Sequence, residues 1–193
     1  CLSDGDAEVR AQFLRSANEI HDERSEAWFV EGISDASPRV QYFAALGLAR
    51  YPGHLGLLYS HATTADRFVR SALVEAIAAQ ALPGELSSLI IKHTQEQLML
   101  SVLALRKTRS AELIKFLDDS DAQIRDEAIC AIYDREIISA KEQVAALSAD
   151  HNKYSSASVR RILACKNFIG SRAYAEELHN YASDASNPAY LLE

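Results

Sequence analysis

Residues 66–70 read Asp-Arg-Phe-Val-Arg, and the pattern behind them returns along the chain. A small acidic or hydroxyl residue is followed, three positions on, by an aliphatic residue and usually an arginine. Asp6-Ala7-Glu8-Val9-Arg10, Asp121-Ala122-Gln123-Ile124-Arg125 and Ser156-Ala157-Ser158-Val159-Arg160 repeat it. Ser37-Pro38-Arg39-Val40-Gln41 and Gln95-Glu96-Gln97-Leu98-Met99 are weaker copies. The aliphatic position falls at residues 9, 40, 69, 98, 124 and 159, at intervals of 31, 29, 29, 26 and 35. Self-similarity at such a spacing marks a repeat architecture.

Each copy reads as a helix start. Asp6, Ser37, Asp66, Asp121 and Ser156 stand where an N-cap belongs, with side-chain oxygens able to accept an unpaired N–H of the first turn. Pro38 follows Ser37 at the first helical position, where its missing N–H is not needed. Gln95 is a poor cap, so the fourth repeat is expected to start less crisply. Apolar residues then recur at helical offsets: Val40, Phe43, Ala44, Gly47 and Leu48; Val69, Leu73, Ala76 and Ile77; Ile124, Ala128, Ala131 and Ile132. They form one stripe on one helix face, and the small residues in it mark points where helices can approach closely. Breaks follow at Tyr51-Pro52-Gly53, Leu82-Pro83-Gly84, Thr108-Arg109-Ser110, Asp134-Arg135-Glu136 and Gly170-Ser171, and after each a shorter second helix is expected (55–62, 85–92, 111–117, 140–147 and 171–182).

One helix pair cannot bury its stripe alone, so copies stack. The expected fold is all-α, a right-handed α-α superhelix of about six helix pairs. It forms a single domain over 1–193, with repeats starting near 6, 37, 66, 95, 121 and 156 and a further one near 188. Both ends fall inside a repeat, so a piece of a longer chain is expected.

Composition narrows the function classes. Hydrophobic residues make up 48%, with only seven Gly and four Pro to break helices. Twenty basic against 27 acidic residues give a net charge of −7, which argues against nucleic acid, whose binding rests on lysine and arginine against phosphate. No run approaches the ~18 apolar residues of a membrane span, so no membrane contact is expected of this segment.

No motif carries chemistry. The three cysteines, at 1, 130 and 165, form neither CxxC nor CxxCH, and Cys130 and Cys165 occupy equivalent core positions six residues after their aliphatics. The six histidines include no HExxH pattern, and there is no glycine-rich phosphate loop. A non-catalytic chain without cofactor or metal is therefore expected. Arg10, Arg70, Arg125 and Arg160 form a ladder, read as pairing with loop acids such as Asp4, Asp35 or Asp119 to hold the loops in register, with Gln41 and Met99 interrupting it. Tyr59, Lys92, Lys115, Glu142 and His179 on the second helices are the candidate surface for a protein partner or flanking domains, on a chain expected to be monomeric.

Residues 35–49, Asp-Ala-Ser-Pro-Arg-Val-Gln-Tyr-Phe-Ala-Ala-Leu-Gly-Leu-Ala, resemble the helix-opening signature of short bacterial HEAT repeats, including the phycobilisome-lyase-like type. The stretches Phe116–Asp134 and Val159–Gly170 resemble the helical repeat region of large planctomycete-type membrane-bound dehydrogenases. There a sugar-dehydrogenase-like β-propeller precedes the repeats and a haem-binding cytochrome domain follows them. The resemblance implies a scaffold within an exported parent protein. It transfers no catalytic or haem residue, because propeller strands and CxxCH are lacking here. Two alternatives are a bilin-lyase-like subunit handling a tetrapyrrole and a DNA-lesion-binding HEAT protein, the latter disfavoured by the acidic charge.

Overall fold

The computed structural model describes residues 1–20, 22, 24–88, 94–184 and 186–188, and every regular element among them is helical. They fall into two compact units, Cys1–Lys107 and Thr108–Glu193.

The first unit contains α1 (Ala7–Ile20), α2 (Ser25–Gly32), α3 (Pro38–Leu48), α4 (Leu55–Ser60), α5 (Arg67–Gln80), α6 (Pro83–Ser88) and α7 (Gln95–Lys107). The long first helices of successive pairs pack side by side, α1 on α3, α3 on α5 and α5 on α7. Each short second helix lies against the first helix that follows it, α2 on α3, α4 on α5 and α6 on α7. The core therefore runs along the stack, through Leu14, Phe29, Ile33, Leu48, Leu58, Leu73, Ile77 and Leu105, all fully buried. Each such side chain contributes about 1.5–3 kcal/mol through burial.

The stripe does the stacking. Counted from the signature aliphatic, positions 0, +4 and +7 are buried as Val40, Ala44 and Gly47 in α3, as Val69, Leu73 and Ala76 in α5, and as Leu98, Val102 and Leu105 in α7. Phe43, expected in the same stripe, is only half-buried, because at +3 it turns outward. Gly47 shows why small residues recur: a Cβ there would stand 2.3 Å from the Phe29 ring of α2. A Cβ on Gly32 of α2 would likewise meet Leu14 of α1 at 2.6 Å. Helix α2, rich in adjacent apolar residues (Ala27-Trp28-Phe29-Val30), has no clean helical period to announce it. The second helix expected over 85–92 begins earlier, at Pro83, and residues 89–93 lie outside the described residues.

The second unit contains a 3₁₀ helix (Ala111–Phe116), α8 (Ala122–Asp134), a short 3₁₀ turn (Ile138–Ala140) running into α9 (Lys141–Ala145), α10 (Ser156–Ile169) and α11 (Arg172–Ser183). The α-helix expected over 111–117 is thus a 3₁₀ helix, a tighter winding used in short pieces. Helix α10 packs against α8, α9 and α11. Its stripe reads Val159, Leu163 and Lys166, and that of α8 reads Ile124, Ala128 and Ala131, all buried.

Within several pairs, the break after the first helix uses one left-handed residue: Gly53 (φ 101°), Arg109 (φ 52°), Glu136 (φ 54°) and Gly170 (φ 65°). Such a residue ends a helix and turns the chain. All four lie at breaks expected from the sequence, and two of them are not glycine.

Candidate functional site

The signature arginine has a structural task that the spacing only half reveals. Arg10 Nη1 donates to the Asp4 carbonyl (2.7 Å), Arg70 Nη2 to the Thr64 carbonyl (3.1 Å) and Arg125 Nη1 to the Asp119 carbonyl (2.7 Å). Gln41 Nε2 makes the same bond to the Asp35 carbonyl at 2.6 Å. In all four the acceptor lies six residues earlier, so this side chain clamps the loop that leads into its own helix. Gln41, expected to interrupt the series, belongs to it. The expected pairing with loop carboxylates occurs at Arg10, whose Nε and Nη2 also grip the Asp35 carboxylate of the next repeat at 2.7 and 2.9 Å. Arg70 and Arg125 bind loop carbonyls instead, and Arg160 lies on the exposed side of α10. The Arg10 guanidinium, with the Ser37 N–H, holds the Asp35 carboxyl below its ordinary range.

The caps sort differently from expectation. Asp66 Oδ1 accepts the N–H of Phe68 and Val69 (2.8 and 3.0 Å), and Asp121 Oδ1 those of Gln123 and Ile124 (2.7 and 3.1 Å). Asp6 Oδ1 accepts Glu8 N–H at 2.8 Å. Ser37 stands at the cap position in extended backbone, yet its hydroxyl makes no capping bond, because the Val40 and Gln41 N–H groups go to the Ser37 carbonyl. Ser156 is already helical, and the cap one residue earlier is Ser155, whose Oγ accepts Ser158 N–H. The fourth repeat opens with a reciprocal capping box: Thr94 Oγ1 accepts Gln97 N–H and Gln97 Oε1 accepts Thr94 N–H. Thr94-x-x-Gln97 is the sequence signal that could have revealed it. A further layer is a polar residue two before the cap. Asp4, Asp35, Thr64 and Asp119 each accept the N–H two residues on through the side chain, fixing the loop.

Of the residues expected to face a partner, one departs from expectation. Tyr59 is core: it is 4% exposed, and its hydroxyl lies 2.7 Å from Ser101 Oγ. It lies beside Leu58 on the buried side of α4. Lys92 lies outside the described residues. Lys115 pairs with Glu112 one turn away, and Glu142 and His179 are exposed on α9 and α11.

The buried polar groups of the second unit are structural. Lys166 Nζ donates to the Ala145 carbonyl and to Glu177 Oε2, both at 2.6 Å, and lies over the Tyr174 ring, tying α10 to α9 and α11. Lys141 Nζ lies 4.3 Å from the Phe168 ring centroid and 5.3 Å from that of Tyr133. Burial pushes the Cys165 thiol up to about 11 and also raises Cys130, so both are protonated at neutral pH, the form that does not act as a nucleophile. Among the described residues no group of three or more His, Cys, Asp or Glu is placed to hold a metal, and no helix is long and apolar enough to cross a membrane.

An open groove of about 540 Å³ lies along the N-terminal halves of α3 and α5, lined by Pro38, Arg39, Tyr42, Phe43, Asp66 and Phe68. The α3 residues at 38, 39, 42 and 43 are the outward face opposite the buried stripe, as offsets of three and four require. Tyr42 and Phe43 meet edge to face at 5.1 Å, and Phe68 is 58% exposed. Two guanidiniums cover rings: Arg39 over Phe43 at 5.8 Å and Arg67 over Phe68 at 4.8 Å. Arg39 also bridges to Glu8 at 2.7 Å, and that carboxyl is held below its ordinary value by the Gln12 amide and by Arg39. Sequence reading passed over these residues because Phe43 counted as core and Phe68 belonged to a capped first turn.

Against known proteins, the family described as HEAT repeats matches residues 1–78, which spans α1 to most of α5. This supports a HEAT-like repeat region there, in agreement with the all-helical fold. No curated protein matches the chain.

Proposed function

We propose that the chain is a non-catalytic interaction scaffold, and that the groove on α3 and α5 is where a segment of a protein partner docks. HEAT repeats generally act as protein-interaction scaffolds, and the observation that supports this site is Phe68. A large apolar ring stands more than half exposed at the rim of a concave, aromatic-lined surface, with Arg67 stacked on it. Aromatic residues and arginine in a concavity are the residue types that dominate binding energy at interfaces. Covering Phe68 would contribute about 1.5–3 kcal/mol. In the parent protein we place this scaffold between the flanking domains of a membrane-bound dehydrogenase, a reading that rests on the resemblance of residues 116–134 and 159–170.

Selection of a displayed random-peptide library on the purified chain tests the docking site. Enriched peptides should bind with micromolar affinity and lose at least about tenfold on Phe68→Ala, one lost aromatic contact. Peptides that bind Phe68→Ala and Arg39→Glu as well as the native chain would move the site elsewhere. Oxidation of sugars by the purified chain would overturn the scaffold reading itself.

A further inference from the structure

The aromatic groove on α3 and α5 is charged unevenly along its length. At the α3 end the guanidinium of Arg39 is engaged. Its Nε lies 2.7 Å from Glu8 Oε2, and its Nη2 donates to Glu8 Oε1 at 3.2 Å. Glu8 Oε1 also accepts the Gln12 amide at 2.7 Å. The other carboxylate at the groove, Asp66, receives the N–H groups of Phe68 and Val69 through Oδ1. Both anions are therefore supplied with donors by the chain itself.

At the α5 end Arg67 stands differently. It is exposed, its guanidinium carbon sits 4.8 Å from the centroid of the Phe68 ring, and it has no hydrogen-bond acceptor or ion-pair partner among the described residues. A guanidinium that covers a ring uses its flat face. Its N–H donors stay in its own plane, in a fork that matches a carboxylate. An exposed apolar ring and an unengaged fork thus lie side by side, at the rim of a concavity that Pro38, Tyr42 and Phe43 line.

We infer that the groove takes a partner segment in which an aspartate or glutamate neighbours a large apolar side chain. The carboxylate binds Arg67, and the apolar group lies against Phe68 and Phe43. This specificity rests on the groove being the docking site. The net charge of −7 limits how acidic the segment can be, because a run of carboxylates would be repelled at long range. The carboxylate therefore stands in an otherwise neutral or basic stretch.

The peptides enriched on the native chain are the probe, followed by fluorescence anisotropy. They should carry Asp or Glu next to Phe, Trp or Leu, without acidic runs. Replacing that carboxylate by its amide should weaken binding by about three- to tenfold, the worth of an exposed charged hydrogen bond. On Arg67→Gln the acidic and amide peptides should bind alike, and Arg67→Lys should recover only part of the difference, since it lacks the fork. Raising salt from about 50 to about 500 mM should weaken the acidic peptide on the native chain and leave it nearly unchanged on Arg67→Gln. Both variants should melt within about 2 °C of the native chain, because Arg67 is exposed. Peptides that need Phe68 but show no carboxylate preference, or keep that preference on Arg67→Gln, would overturn this inference and leave the docking site standing. Peptides indifferent to Phe68→Ala, or no binder up to about 1 mM, would remove the docking site and the inference together.

Discussion

Asp66 and Ser37 occupy the same position in neighbouring repeats and do different work. Asp66 receives two N–H groups, whereas the hydroxyl of Ser37 receives none. Replacing Asp66 by Ala should therefore destabilise by about 1 kcal/mol, and Ser37→Ala by only a few tenths. Urea unfolding midpoints of the two variants measure the difference. Asp35 supplies a pH signature. Its folded carboxyl lies below the ordinary range because Arg10 grips it, so the stability it confers is complete at neutral pH, above the unfolded value of about 3.9. That contribution is lost as the pH falls through the folded value. The stability gap between the native chain and Arg10→Met should accordingly be largest at neutral pH and narrow below about pH 4. A gap independent of pH would mean that Arg10 acts only through the Asp4 carbonyl.

At the scale of elements, the helix pairs are held by close approach as much as by apolar area. Gly47 lies inside α3, where alanine would be favoured by about 1 kcal/mol on helix propensity. The added methyl would stand 2.3 Å from the Phe29 ring, so Gly47→Ala should destabilise the chain by about 1–3 kcal/mol overall. The double variant with Phe29→Leu should recover part of that loss, and a double-mutant cycle in urea reads the coupling. Helix starts were legible because a cap and a 3.6-residue period are local properties. Second helices were less so: five or six residues hold too few turns for a period to show, as α4, α9 and the 3₁₀ segment Ala111–Phe116 illustrate. The breaks expected at 108–110 and 134–136 do fall there, and each turns on a left-handed residue that is not glycine, Arg109 and Glu136.

At the scale of the whole molecule, each unit rests on a buried stripe in which a charge without a partner is costly. Leu73 in the first unit and Ile132 in the second are fully buried. Leu73→Asp and Ile132→Asp should each destabilise by about 3 kcal/mol or more, because the carboxylate would be buried without a partner. Thermal unfolding followed by circular dichroism checks both, and an unchanged midpoint for either would mean that its stripe is not the stacking face.

The repeat, its step and its helix starts belong to the sequence alone, because a cap, a heptad-like stripe and a small residue at a crossing act over a few neighbouring positions. Tertiary structure decided everything that depends on where one helix stands relative to the next. It turned the arginine series from carboxylate pairs mostly into clamps on loop carbonyls, and it drew Tyr59 from the expected surface into the core. It also built the aromatic groove from α3 and α5, whose residues Phe43 and Phe68 are 25 positions apart. Burial and concavity arise only where separate faces meet, and no single stretch of sequence contains both sides of a meeting.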